Sequence, residues 1–241
     1  MGAPTLHFSH TPIPPPTHPF PLMSDTAFPR PIRIGILLSG KGRGSNMQAL
    51  IDATRDGRIP GEVALVVSTS PGAPALERAR SGRVAAQLVP APDYPNADDL
   101  DSALADAFEC AEVDLICLAG YMRLLTPGFV RRFAGRMMNV HPGLLPSFGG
   151  KGYYGKRVHE AVLESGAKFT GVTVHFVDDE YDHGPIILQR VVAVDEEDTP
   201  ETLAQRVLAE EHRAYPDAVR LFAEGRLRIE GRRVRVLPAS P

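Results

Sequence analysis

Asn139 and His141 stand two residues apart in Asn139-Val140-His141-Pro142, at the end of an apolar run. Strand alternation projects both side chains to one side, where each can offer a hydrogen-bond donor to one developing oxyanion. A histidine at a strand end also serves purely structural ends, so context has to decide. A second segment, Asp178-Asp179-Glu180-Tyr181-Asp182-His183-Gly184-Pro185, sets four carboxylates within five residues. Their mutual repulsion fits either a solvated turn or a carboxylate paired with a cation such as a histidine. The third segment, Leu37-Leu38-Ser39-Gly40-Lys41-Gly42-Arg43-Gly44-Ser45-Asn46, leaves an apolar run and enters a helical pattern. Exposed amides at the positive end of a helix dipole make an anion site. The segment has no Gly-Lys-Ser/Thr, and its glycines are spaced Gly-x-Gly-x-Gly, so a monophosphate fits better than a triphosphate or a dinucleotide. The second apolar run ends in Ser68-Thr69-Ser70 and supplies no acid for a nicotinamide ribose. A turn that merely packs strand against helix is the alternative.

These segments need a scaffold, and the pattern from Ile32 onward provides one. Strands are expected at Ile34 to Leu38, Val63 to Val67, Ala85 to Val89, Leu115 to Leu118 and Met137 to Val140, continuous apolar runs of the kind covered on both sheet faces. Helices lie between them, one striped by Met47, Leu50, Ile51 and Ala53 and another by Leu100, Leu104, Ala107 and Phe108. Alternating strands and helices predict an α/β fold with a parallel sheet. The rhythm then breaks at a Gly- and Pro-rich loop from Pro142 to Gly155, followed by a helix near Arg157 to Glu164 and two long strands, Thr170 to Phe176 and Ile186 to Val194, expected to be antiparallel. A long helix from Thr199 to Ala223, opened by Thr199-Pro200-Glu201, precedes a short hairpin turning at Glu230-Gly231.

The 241 residues, 43% hydrophobic and 23% charged, suffice for one sizeable core. A net charge of -3 offers no global attraction for nucleic acid or an anionic membrane, so any phosphate must be gripped locally. Cys110 and Cys117 read as free thiols rather than a disulfide or a metal site, and no metal is expected. No apolar run approaches the roughly 20 residues of a membrane span, and no secretion signal opens the chain, so a cytoplasmic location is expected. Residues 1–30, rich in proline, are expected to be disordered, and Met23 offers an alternative start.

With the three loci in this order, the chain resembles the phosphoribosylglycinamide formyltransferases that use 10-formyltetrahydrofolate. The resemblance runs from about Ile32 to Gly231 and rests on Gly44-Ser45-Asn46, Leu118-Ala119-Gly120-Tyr121-Met122-Arg123-Leu124-Leu125, Asn139-Val140-His141-Pro142 with Leu144-Leu145-Pro146, Val174-His175-Phe176-Val177, Asp182-His183-Gly184-Pro185-Ile186-Ile187 and Glu211-His212. It implies a Rossmann-like, mostly parallel twisted sheet with helices on both faces and an antiparallel strand pair in the C-terminal half. It further implies that residues 31–241 form a single domain, with a phosphate-binding half at 31–141 and a folate and catalytic half at 142–241. Gly44, Ser45 and Asn46 would hold the substrate phosphate and Glu211 its ribose. Met122, Arg123, Leu124, Leu125 and Asn139, with Val177, Asp178, Asp179, Glu180 and Tyr181, would bind the folate. Asn139, His141 and Asp182 would be the catalytic trio, acting on small-molecule substrates, with 10-formyltetrahydrofolate as cosubstrate and no metal, in a monomer or homodimer of purine synthesis. A carboxylate beside an imidazole favours the cation, so Asp182 is expected to raise the pKa of His141.

Three features depart from that family's common pattern. The loop Ser39 to Asn46 is longer, with Lys41 or Arg43 available to supplement its amides; the loop Phe148 to Gly155 is extended, as a mobile cover or a rigid turn cluster; and Tyr94 to Leu100 lacks an arginine many members place there to meet the folate. Relatives that formylate initiator methionyl-tRNA or hydrolyse formyltetrahydrofolate share the Asn-x-His and Asp core but carry further domains not expected here. A non-catalytic nucleotide-sensing module on the same fold is the alternative from a different class.

Overall fold

The computed structural model describes residues 28, 30–40 and 42–239; the expected disorder of the proline-rich segment, the alternative start at Met23 and the role considered for Lys41 fall outside them. Five strands come first: β1 (Ile32–Leu38), β2 (Gly61–Ser68), β3 (Ala86–Leu88), β4 (Leu115–Leu118) and β5 (Met137–His141). All are parallel where they pair. The later strands are β6 (Phe169–Phe176), β7 (Ile186–Ala193), β8 (Leu227–Glu230) and β9 (Arg233–Val236). They complete a nine-stranded sheet in the order β3-β2-β1-β4-β5-β6-β7-β9-β8. The late pair β6 and β7 is antiparallel, as expected, and β6 also runs antiparallel to β5.

Helices cover both faces. On one lie α1 (Ser45–Arg55), α2 (Pro74–Ser81), α5 (Lys156–Glu164) and α6 (Pro200–Ala223), packed over Ile34, Ile36, Cys117, Met138 and Val174. On the other lie α3 (Ala97–Cys110) and α4 (Pro127–Arg132), over Leu37, Val67 and Ile116. Burial on two sides explains why β1, β4 and the end of β2 read as unbroken apolar runs. α4 is too short to show helical periodicity, and its only sequence mark is Thr126-Pro127, where the threonine hydroxyl accepts the Phe129 amide at 3.4 Å. α6 starts where its capping residues indicate, with Thr199 and Thr202 bonding each other reciprocally. No helix among the described residues is long and apolar enough to cross a membrane.

The chain leaves β1 toward β2 and β3, then returns to the other side of β1 with β4 and β5. That reversal opens a crevice at the carboxyl ends of β1 and β4, where ligands bind in open α/β sheets. The loops bordering it are tied together: Ser39 donates its amide to Gly120 O at 3.3 Å, and its hydroxyl accepts the Met122 amide at 2.8 Å.

Candidate active site

Asn139 and His141 end β5 beside this crevice, and Asp182 reaches them from the loop between β6 and β7. His141 Nδ1 lies 3.5 Å from Asp182 Oδ2, while Nε2 faces the Phe148 carbonyl oxygen at 2.8 Å. A carbonyl only accepts, so Nε2 carries a proton and donates it there. Asp182 also accepts the Gly150 amide at 3.0 Å and the Asn139 amide nitrogen at 3.3 Å. It holds this place with a φ of 53°, a left-handed conformation that a non-glycine residue keeps only when its surroundings demand it.

His175, assigned no role in the sequence, belongs to the cluster as well. It is paired across β5 and β6 with Asn139, so the two side chains share a face of the sheet. Its Nδ1 faces Phe176 O at 2.8 Å, which leaves Nε2 to accept from Asn139 Nδ2 at 3.2 Å. Both amide hydrogens of Asn139 are thereby directed inside the protein, one at His175 and one at Asp182. A formyl oxygen would compete for the longer of these bonds. Strand alternation already put Thr173 and His175 on one face of β6; what it could not supply was the register against β5.

The expected rise in the pKa of His141 is corrected by the structure. Burial holds the imidazole below its ordinary value, against the opposing pull of the Asp182 carboxylate and the Phe148 carbonyl, with His175 adding to the depression. Only 3% of the residue is exposed, and loss of hydration is felt by a cation before a carboxylate 3.5 Å away can compensate. For Asp182, burial alone would raise the carboxyl, but the contact with His175, the charge of His141 and the Gly150 amide outweigh it and hold the group below the usual carboxylate range.

Two cavities meet at this cluster. The larger, of about 310 Å³, is lined by Tyr121, Met122, Asn139, His141, Asp182 and the loop Gly150 to Gly155. The smaller, of about 50 Å³, is lined by Arg123, Leu124, Leu125, Val177, Asp178 and Tyr181, among others. Asn139, Tyr121, Tyr181 and Asp182 belong to both. Of the expected folate residues, Met122 faces the larger cavity rather than the smaller, and Asp179 lines neither. The extended loop walls the larger cavity with Gly150 to Gly155 and touches the cluster itself through the Phe148 carbonyl and the Gly150 amide. The acidic segment does contain paired carboxylates, Asp182 with His141 and Asp178 with His183 at 2.7 Å.

Gly44, Ser45, Asn46 and Glu211 form a separate group that lines neither cavity. Gly44 caps α1 with φ 69° and ψ 41°, no side chain caps the helix, and its first turn has no acidic residue. A Cβ on Gly44 would stand 2.8 Å from that of Ala75, so glycine is required for packing as well as conformation. Asn46 Nδ2 donates to Glu211 Oε2 at 2.6 Å, and Asn46 Oδ1 is buried without a partner. Burial pushes the Glu211 carboxyl up to about 7, against the stabilising Asn46 bond. Arg43 is exposed beside this turn. Among the described residues, no group of three or more His, Cys, Asp or Glu is arranged to hold a metal ion.

Residues 32–219 match the family model described as formyl transferase. The phosphoribosylglycinamide formyltransferase of Haemophilus influenzae is 39% identical over 198 residues, covering 82% of this chain and 90% of that protein. The trifunctional purine biosynthetic protein adenosine-3 of Bos taurus is 40% identical over 201 residues, and there the chain spans only 19% of the relative's length. The crystal structure of glycinamide ribonucleotide transformylase 1 from Symbiobacterium toebii superposes with a TM-score of 0.82 at 51% identity, covering 88% of this chain and 96% of that one. The match encloses Asn139, His141, Asp182 and Glu211, and the chain belongs to the formyl transferase family, a family of enzymes that includes the Haemophilus influenzae formyltransferase.

Proposed function

We propose that this protein transfers the formyl group of 10-formyltetrahydrofolate to the amine of 5-phosphoribosylglycinamide, yielding the formylglycinamide ribonucleotide and tetrahydrofolate, in purine synthesis. The observation that carries the reading is the meeting of Asn139, His141 and Asp182 at the junction of two cavities, beside the switch point of the sheet. Relatives bearing that activity in their names cover the same stretch of chain.

In this reading the amine attacks the formyl carbon, a C–N bond forms, and negative charge gathers on the formyl oxygen. His141 Nε2–H, which donates to Phe148 O, turns to that oxygen, and Asn139 gives up its long bond to Asp182 to do the same. An imidazole whose pKa is depressed by burial gains most from the new charge, so the interaction strengthens toward the transition state. Collapse of the tetrahedral adduct breaks the bond to the folate nitrogen, which receives the proton lost by the amine. The His141–Asp182 pair is the titratable couple placed to pass it.

The uncapped start of α1 at Gly44, Ser45 and Asn46 suits a phosphate, and Glu211 a sugar hydroxyl. The smaller cavity, walled by Arg123 to Leu125 and by Val177 to Tyr181, suits the pterin. We assign the activity to the cytoplasm, with both cysteines as free thiols. Release of tetrahydrofolate from the formyl donor, followed spectroscopically with and without phosphoribosylglycinamide, tests the reading. Release that requires the amine supports transfer; release to water alone supports a hydrolase, and no release with either acceptor refutes the assignment.

A further inference from the structure

The C-terminal hairpin reaches back to the loop that walls the smaller cavity. β9 joins the sheet between β7 and the edge strand β8, pairing with β7 at Ile186 and Arg233, and this brings Arg232, in the β8–β9 turn, against His183. One terminal nitrogen of Arg232 lies 2.5 Å from His183 Nε2, and the other donates to the His183 carbonyl oxygen at 2.9 Å. Across the ring, His183 Nδ1 stands 2.7 Å from Asp178 Oδ2. A guanidinium has only donors, so Nε2 accepts and Nδ1 carries the proton given to Asp178. The second oxygen of Asp178 accepts the Glu180 amide at 3.1 Å and closes the turn.

This chain of contacts spans the whole acidic loop. Asp178 is buried and Glu180 exposed, so the loop is pinned at its base while its tip stands in solvent. Val177, Asp178, Glu180 and Tyr181 make one side of the smaller cavity. Four carboxylates packed into residues 178–182 repel one another, and the guanidinium opposes that repulsion from outside the loop. Asp182 has anchors of its own in the Gly150 amide and Asn139, so the loop's reactive carboxylate does not depend on Arg232.

We propose that Arg232 is a positioning residue for the formyl-donor slot: through His183 and Asp178 it holds the loop in the shape that forms the slot wall. The proposal rests on reading that slot as the formyl-donor site. It assigns a role to the C-terminal hairpin, whose residues line neither of the two cavities described.

Steady-state kinetics of the full chain carrying Arg232→Ala, with amide hydrogen exchange on the same protein, test it. The KM for 10-formyltetrahydrofolate is expected to rise about tenfold, the scale of one charge-assisted contact, while kcat and the KM for phosphoribosylglycinamide stay near wild type. Exchange should accelerate at residues 178–183 and not across the sheet. Arg232→Lys, which keeps a donor, should recover part of the loss, and Arg232→Ala with His183→Ala should be no worse than either alone. An unchanged KM for the formyl donor, or a loss shared equally by both substrates, overturns the proposal. If the wild type transfers no formyl group, the functional reading fails and exchange alone decides the anchor: faster exchange confined to the loop sustains it, and unaltered protection overturns it.

Discussion

Asp182 faces His141 Nδ1 at 3.5 Å, yet the imidazole stays below its ordinary pKa because burial outweighs the carboxylate's attraction. The pair is therefore poised on a balance between a desolvation that favours the neutral ring and a charge that favours the cation.

Asp182→Asn tips that balance further. The imidazole should titrate lower than in the wild type, followed by NMR of the His141 ring, and turnover should fall by about 10²-fold or more. An unchanged His141 titration in the variant would show that the carboxylate is not felt by the ring.

Acid should destabilise the fold through the same pair. The lowered Asp182 carboxyl contributes stability above its ordinary value of 3.8 that is lost as pH falls through the folded value. For His141, also lowered, the unfolded chain binds the proton first as pH drops below 6.5, so stability declines there as well. Denaturant titrations from neutral to acid pH should show the loss, reduced on its upper side in His141→Gln.

Glu211 acts in the opposite sense. Its carboxyl is raised from 4.5 to about 7, so the stability linked to its protonated form is complete below 4.5 and disappears as pH rises through about 7. Glu211→Gln, which cannot ionise, should gain stability relative to wild type at pH values above this window but not at its acid end. Equal differences at both ends would show that the carboxyl ionises freely in the fold.

Gly184 admits no side chain. A Cβ there would lie 1.9 Å from the Phe176 carbonyl oxygen, at the point where the Asp182 loop rejoins β7. Gly184→Ala should cost about 3 kcal/mol or more, measured by denaturant unfolding, and should reduce turnover by displacing Asp182. Gly150→Ala meets no atom within 4 Å and should cost only the strain of its φ of 90°, on the order of 1–3 kcal/mol.

Tyr215 joins the long helix to the two central strands. Its hydroxyl is buried within 3.0 Å of Leu118 O and 2.9 Å of Met138 O. Tyr215→Phe should lower stability by about 1–3 kcal/mol, since two buried carbonyls lose a donor, and thermal unfolding measures it.

What the sequence determined by itself are the features written in neighbouring residues. Unbroken apolar runs marked β1 and β4, Thr199-Pro200 marked the start of α6, and the two-residue spacing of Asn139 and His141 placed both on one side of a strand. These follow from periods of two and 3.6 residues, which any short window contains. Tertiary structure decided which groups meet. The register of β5 against β6 sets His175 on Asn139, the course of the extended loop brings the Phe148 carbonyl to His141, and the edge hairpin carries Arg232 to His183. It also decided the sign of the His141 shift, because loss of hydration depends on everything packed around the ring, while the attraction of Asp182 is a single contact.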